Sequence, residues 1–476
     1  MKKFIILLLF FPLIGDCQQV QWVSKVIKSS SDLGGKQYSS RRVIGKPDVF
    51  PQGGDSPNAW APKNAQDGHD FIEVEFEKAQ TVKQIAIFEN LNTGCFVKVL
   101  AGTGDGKYNE VFRSAFSTMN MDLGFMDKGS AGADRAYYFG RRRRKVSVAS
   151  DVNNKPGIEY AKLEEPVENV KALRVVFSFK KSAGDKQIDA IGISDSDVPI
   201  VPIINTRKEF ENLTKPEVVF TSDKYFGFSF LKDNRLYLNM EDNNKKNNIF
   251  SLDVINGKGQ NLTQLPQSIN KNQENNYLVG IIGNRFIVGG SPYKKGSSET
   301  GYFIYNQSGS EYVVEKPLEI VAFNNFAEVS YLTANKDGSI IIMALESDIS
   351  QGGLDLYFAK IKEDGTYSIL QNLGKNVNSA NDEFLPFLAE DEKTLFFISN
   401  GMSSYGNEDL YYTVRLDDTW KKWSEPINLG PIINDENPQN SFVYDGKNEM
   451  LYYKVIKEEK YQLLRVKIPI NYLKGN

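Results

Sequence analysis

One histidine and two cysteines in 476 residues remove much metal and nucleophile chemistry at the outset. With His69 alone available, a His/Cys zinc site is excluded, and any histidine-dependent triad has one residue to use. Cys17 lies in a leader-like N-terminus, so a chain processed there keeps only Cys95 and no internal disulfide. No run beyond the first 17 residues is long and apolar enough to cross a bilayer. Patterns of the G-x-S-x-G, H-E-x-x-H and phosphate-loop types are missing, and no motif implies a cofactor. Charge of one sign is also missing: 57 Lys and Arg stand against 60 Asp and Glu, so no general affinity for nucleic acid is expected. Long helical periodicity is absent, and the length argues for two domains.

What is present is strand patterning with a repeat. Asn372-Leu373-Gly374-x-x-Val377-Asn378 recurs as Asn428-Leu429-Gly430-x-x-Ile433-Asn434, 56 residues on, and Asp355-Leu356-Tyr357 recurs as Asp409-Leu410-Tyr411, 54 residues on. Strand cores at Leu236, Phe286, Ile340, Leu395 and Leu451 follow one another at intervals of 50, 54, 55 and 56. Partner strands are expected at Asn248–Phe250, Gly301–Phe303, Asp355–Tyr357, Asp409–Tyr411 and Gln462–Leu464. A period of ~50 residues built from strands predicts a β-propeller, here of five blades or six, because one blade cannot bury both its faces. Val218–Thr221 is placed to complete the last blade and close the ring, which removes exposed sheet edges. Recurrence of Asp355 and Asp409, with Asn372, Asn428, Gly374 and Gly430, predicts a structural job such as bonding backbone N–H groups, since a single catalytic site needs no copy in each blade.

The run Tyr405-Gly406-x-x-Asp409-Leu410-Tyr411, with Trp423-Ser424-Glu425-Pro426-x-Asn428-Leu429-Gly430, resembles the WD-type repeat of TolB-like propellers found in cell-envelope proteins of Bacteroidetes-type bacteria. In that family an OmpA-like peptidoglycan-binding domain often follows. None follows in this sequence, so that anchor is not carried over. The resemblance is specific for Asp355–Asn434 and weaker in the other repeats.

Residues 1–17 read as a signal peptide: Lys2 and Lys3, then the apolar run Phe4–Ile14, then Gly15-Asp16-Cys17, with Gln18 as the new N-terminus. The rival is lipidation of Cys17. Residues 18–197 predict a β-sandwich, from strand signals at Phe71–Phe76, Val82–Phe88, Cys95–Leu100, Ala172–Phe179 and Gln187–Ile193, with dense turn chemistry at Pro51–Pro62. The stretches Gly45-Lys46-Pro47, Ala59-Trp60-Ala61-Pro62, Phe71–Phe76, Gln84–Glu89 and Gln187–Ile193 resemble a discoidin-like, galactose-binding-type jelly roll, a fold that hosts sugar, lipid and protein binders alike. Ser114–Ile158 departs from the pattern and reads as an insertion. Residues 198–205, with Pro199 and Pro202, read as a stiff linker packed on a domain surface, and residues 206–476 as the propeller.

Candidate site residues are few, and each has an ordinary alternative. Arg141, Arg142, Arg143 and Arg144 form the sharpest charge feature and suit an anionic glycan, a lipid phosphate or an acidic partner, or else a solvated hairpin. Trp60, in a Gly/Pro-rich loop, offers a ring for a sugar, or else anchors that loop to the sandwich. Asp189 is expected to cap a neighbouring turn rather than act as a base. Asp382-Glu383, Asp391-Glu392 and Asp435-Glu436 read as solvated turns, and His69 as a loop residue. The combined expectation is an exported, non-catalytic, all-β protein of periplasm or outer membrane. Its propeller serves as an interaction platform, and its sandwich recognises carbohydrate or an envelope protein. Two other readings stay open: a propeller hydrolase with carboxylates converging on the channel, and an accessory lipoprotein of an outer-membrane secretion machine.

Overall fold

The computed structural model describes residues 18–33, 35–63, 68–114, 156–181, 184–242, 246–406, 408–437 and 441–474. Cys17 and Arg141, Arg142, Arg143 and Arg144 lie outside them. Strand is the dominant regular structure of the described residues, and the helical pieces, Ser40–Val43, Phe179–Lys181, Lys208–Glu211 and Ile470–Tyr472, are of three or four residues each.

Six strands make the N-terminal unit: β1 (Val20–Ser29), β2 (His69–Leu91), β3 (Phe96–Gly102), β4 (Asn109–Arg113), β5 (Gly157–Ser178) and β6 (Gln187–Ser194). They form one antiparallel sheet in the order β1-β6-β2-β5-β3-β4, and β1 also pairs with β2, so the sheet curls back on itself. The two strands expected at Phe71–Phe76 and Val82–Phe88 are one. Nothing between them breaks a strand, since Glu77–Thr81 holds no Gly, Pro, Asn or Asp. β2 instead bends through register shifts between Glu75 and Gln84, and β5 bends with it. Each strand thereby serves both layers of the sandwich. Between the layers lie Val74, Phe76, Ile85, Leu173, Phe177 and Ile191, all buried.

Five four-stranded antiparallel sheets follow. The first comprises β8 (Phe226–Lys232), β9 (Arg235–Glu241), β10 (Asn247–Ile255) and β11 (Lys258–Gln264). The second holds β12 (Tyr277–Ile282), β13 (Arg285–Gly289), β14 (Phe303–Ser308) and β15 (Glu311–Pro317). The third holds β16 (Tyr331–Ala334), β17 (Ile340–Leu345), β18 (Asp355–Lys360) and β19 (Gln371–Asn372). The fourth holds β20 (Glu383–Leu388), β21 (Thr394–Ser399), β22 (Asp409–Val414) and β23 (Ile427–Asn428). The fifth has β24 (Phe442–Asp445), β25 (Met450–Lys457) and β26 (Lys460–Lys467), and its outer strand is β7 (Glu217–Ser222), from the start of the ring. β7 runs antiparallel to β26 from Ser222 opposite Tyr461 to Glu217 opposite Arg465, with the Arg465–Glu217 ion pair at 2.6 Å. The repeat cores read from the sequence are the second strand of each blade, and their partners fall on the third, except that Gly301 and Tyr302 precede β14. Between neighbouring blades sit apolar clusters such as Leu356, Phe358, Leu395, Phe397, Trp420 and Trp423.

The Asp and Asn of the repeat brace two blades in the same way. Asp355 accepts from Gln351 N and Gly352 N and from Asn372 Nδ2; Asp409 accepts from Tyr405 N, Gly406 N and Asn428 Nδ2. Asn372 and Asn428 in turn accept from the N–H of Gly374 and Gly430 and from Asn378 and Asn434. Asn378 and Asn434 then bond both the N–H and the C=O of Leu356 and Leu410. Gly430 has φ +78°, a value that L side chains rarely adopt, and a Cβ there would also strike Phe210. Each network ties the loop between a blade's second and third strands to the turn after its fourth.

Residues 198–205 mix the two environments. Ile200 is buried, with its C=O taken by Tyr160 Oη, whereas Val198, Val201 and Ile203 are exposed. Asn205 O then accepts from Asn428 N, so the chain enters the propeller along the outer edge of the fourth blade. Replacing Asp409 by Ala leaves two amides and one carboxamide without their acceptor. The expected loss is about 2–4 kcal/mol in urea unfolding, against under about 0.5 kcal/mol for the exposed Glu363→Ala.

Candidate functional site

The first strand of every blade faces the axis, and together they enclose a cavity of about 1070 Å³. Its walls carry Phe228 from β8, Tyr277 from β12, Tyr331 from β16, Phe384 and Phe387 from β20 and Phe442 from β24. The wall bulges at β20, where register shifts between Phe384 and Phe387 and Leu385 takes φ +49°, a backbone outlier for a branched residue. Tyr277 and Tyr293 are held by a polar network. Tyr277 Oη bonds Tyr302 Oη at 3.4 Å, Tyr302 Oη donates to Ser330 O at 2.9 Å, and Asn325 Nδ2 donates to Tyr293 Oη at 2.6 Å. Burial pushes the Tyr293 phenol up to about 12 and raises that of Tyr277, so both remain neutral donors at any physiological pH.

The mouth of the cavity is made by the loops entering each blade and the loops joining second to third strands. The N-terminal unit sits over it, adding Tyr38, Asp55 and Pro57 to the lining. That position is set by polar contacts to the third and fourth blades. Asn58, fully buried, donates from Nδ2 to Gly401 O at 2.6 Å and accepts from Ala380 N at 2.7 Å. A Cβ on Gly401 would lie 1.9 Å from Ser379 Oγ, so only glycine allows the loops to close this tightly. Lys36 donates to Ser350 O, Gln37 to Ala380 O, Gln52 to Ser404 O and Tyr405 O, and Ser403 Oγ to Pro47 O.

Ionisable groups are buried beneath this contact. Glu383 is fully buried, accepts from Ser379 N and Ser399 Oγ, and is pushed up to about 8 by burial first and the Asp355 charge second. Asp355 and Asp409 are pushed up to about 6 by burial. The Arg42 guanidinium, lowered by its own burial, faces Asp48, Glu383 and Asp355. Asp382-Glu383 is therefore no solvated turn: Asp382 Oδ1 accepts from Leu354 N at 2.8 Å, and both side chains are buried. Buried donors on the facing loops claim these carboxylates. Asp391 caps the β20–β21 turn through Lys393 N and Thr394 N, and Asp435 is exposed.

Trp60 offers no face to a sugar. It is fully buried, its Nε1 donates to Ser31 O at 3.0 Å, its backbone bridges Ile188, and its ring meets Phe177 edge-on at 5.7 Å. The apolar area of the indole makes the sandwich interior the better place for it. Asp189 is also buried and accepts from the successive amides of Asp48, Val49 and Phe50. His69 is exposed at the start of β2, and no group of three or more His, Cys, Asp or Glu among the described residues is arranged to hold a metal. The channel residues were not singled out by the sequence reading. Their signal was the aromatic, Gly- and Pro-containing stretches just before each repeat core, such as Phe384-Leu385-Pro386-Phe387.

A family model described as the pappalysin-1 SD scarf domain, C-terminal, matches residues 15–111. No curated protein matches the chain. Among solved structures, an α-L-arabinofuranosidase from Lactobacillus brevis is similar at 12% identity and a TM-score of 0.32, covering 55% of this chain and 93% of that one. The family 32 carbohydrate-binding module of Streptococcus pneumoniae EndoD is similar at 9% identity and 0.23, over 36% and 97%. The Cps50 (Swd1) β-propeller domain of Myceliophteria thermophila is similar at 11% identity and 0.24, over 50% and 68%. Likenesses at these scores bear on no residue's role.

Asn58→Ala removes the donor to Gly401 O and the acceptor of Ala380 N. An expected loss of about 1–3 kcal/mol should appear in calorimetry as separation of the sandwich and propeller transitions. The buried carboxylates reverse the usual pH trend. Glu383, Asp355, Asp409 and Asp189 hold protons in the folded state that the unfolded chain has already released. Their contribution is most favourable below the unfolded carboxylate range near ~4 and is lost as pH rises through about 6 and about 8. Urea titrations at pH 5, 6, 7 and 8.5 should therefore show falling stability, and Glu383→Gln should flatten the upper part of that fall.

Proposed function

We infer that this is a non-catalytic, exported binding protein of a bacterial cell envelope whose ligand seat is the propeller channel, completed by the β-sandwich. The observation that carries the reading is the cavity itself. It is large, and its walls set aromatic rings beside hydrogen-bonding groups held in place by packed side chains. Ligand sites are commonly built in this way. The polar bonds around Asn58 fix the roof before a ligand arrives, which lowers the ordering cost of binding. Export and the envelope are supported by the leader-like residues 1–17 and by the resemblance of the repeat to envelope propellers. Carbohydrate and extended peptide are the ligand classes that suit rings and amides together, since both present apolar faces with polar edges.

A second reading, a propeller hydrolase, is favoured by one observation: carboxylates from the second, third and fourth blades are among the residues lining the cavity. One experiment separates the two. The full chain is immobilised and offered defined glycan and peptide panels, and the recovered ligands are weighed by mass spectrometry. Intact ligands are expected. Capture should be lost in Val329→Trp, which narrows the mouth from an exposed position and should alter stability by under about 0.5 kcal/mol. Capture that survives this substitution places the seat elsewhere, and cleaved products establish the hydrolase.

A further inference from the structure

No apolar cluster of buried residues among those described has members in both the sandwich and the propeller. Polar groups make the joint. Lys36, Gln37, Gln52 and Asn58 donate to main-chain oxygens of the propeller loops, Ser403 reaches back to Pro47 O, and Lys46 pairs with Glu425 at 3.9 Å in an exposed position. Water can satisfy such groups too, so parting the units opens no apolar core. Each unit is also complete without the other, the sandwich as one six-stranded sheet and the ring through its β26–β7 pairing. The connection between them has a loose middle. Ile200 packs with Phe50 and Phe88 of the sandwich, and Asn205 bonds Pro426 O and Asn428 N of the fourth blade. Val201 and Ile203 are exposed, and no hydrogen bond among the described residues ties residues 201–203 to either unit.

We propose that the sandwich is a lid over the channel, hinged at residues 201–204, that stays latched in mild acid and lifts more often as pH rises. The proposal needs the cavity beneath and not the identity of what it holds. The acid latch follows from the groups under the joint. Glu383 is fully buried and faces Asp355 from β18, Asp48 and Arg42 from the sandwich, and the neutral phenol of Tyr411 from β22. Asp48 in turn faces Asp189, and Asp355 faces Lys36. With every carboxyl ionised, Glu383, Asp355, Asp48 and Asp189 would set four negative charges against the two positive ones of Arg42 and Lys36. Burial is the first cause that pushes Glu383 up to about 8 and Asp355 up to about 6, and it raises Asp48 as well. Lifting the sandwich admits water, relieves that cause and lets the uncovered carboxyls ionise in their ordinary range near ~4. The closed form therefore binds the extra protons. Its advantage is complete below that range and is lost as pH rises through about 6 and then about 8.

Native-state hydrogen exchange on the full chain tests this. Ala380 N donates across the joint to Asn58 Oδ1. Trp60 N donates to Ile188 O inside the sandwich, and Leu410 N to Asn434 Oδ1 inside the propeller. After correction for intrinsic rates, Ala380 is expected to exchange roughly ten-fold or more faster than the other two, with a shallower dependence on low urea, as a local opening requires. Protection of Ala380 relative to Leu410 should fall several-fold between pH 6 and pH 8.5, and Glu383→Gln, which cannot ionise, should remove most of that fall. Exchange of Ala380 in step with Leu410 at every urea concentration means that the units part only on unfolding, and overturns the lid. A relative protection that stays constant from pH 6 to pH 8.5 in the unsubstituted chain overturns the acid latch, whether or not the variant folds. Neither readout involves ligand capture, so the channel reading stands or falls separately.

Discussion

A ring of sheets is stable only if its first and last members meet, and here they meet through backbone hydrogen bonds between β26 and β7. Five blades packed face to face bury their apolar clusters between neighbours, so each blade depends on the two beside it. Without β7 the fifth blade would end at β26 with unpaired N–H and C=O groups, and the cluster containing Val219, Phe226, Tyr452 and Leu463 would lose one wall. Closure also brings the five inner strands around one axis. The channel exists because the seam holds.

The N-terminal unit adds to the wall of that channel, contributing Tyr38, Asp55 and Pro57 to its lining. Its contact with the third and fourth blades is made mostly of polar groups, and such a contact is specific because a buried polar atom that misses its partner is costly. Asn58 illustrates this. One carboxamide satisfies a carbonyl from the fourth blade and an amide from the loop entering it. Glu383 and Asp355 lie beneath it, fully buried, with the half-buried Arg42 facing them, so the contact covers carboxyl groups held away from water.

The repeat period, the second and third strands and the closing strand were legible because they combine an apolar run with recurring punctuation. Leu395–Ser399 and Asp409–Val414 are buried on both faces and read as strands without ambiguity. The inner strands were not legible. In β20 four successive residues, Phe384, Leu385, Pro386 and Phe387, line the cavity, one of them is a proline, and the strand passes through a bulge, so neither period nor propensity marks it. Glu383 looked like half of a solvated acidic turn because its partners, Ser379 and Ser399, act through folding and not through spacing. Trp60 could be read two ways in a loop rich in Gly and Pro, and only the packing of Phe177 and the carbonyl of Ser31 decide it. The strand cores of the sandwich were visible, but the fusion of two of them into β2 was not, because a bulge leaves no signature in composition.

The seam has a consequence for how the molecule comes into being. Arg465 and Glu217, which meet across it, are 248 residues apart in the chain. During synthesis β7 emerges early and waits, its ladder groups open, while four complete blades are made behind it. The sandwich, whose strands all precede it, is finished first. The last step of ring formation thus joins an old strand to the newest one, and this most distant pairing governs how long the growing protein exposes an adhesive edge.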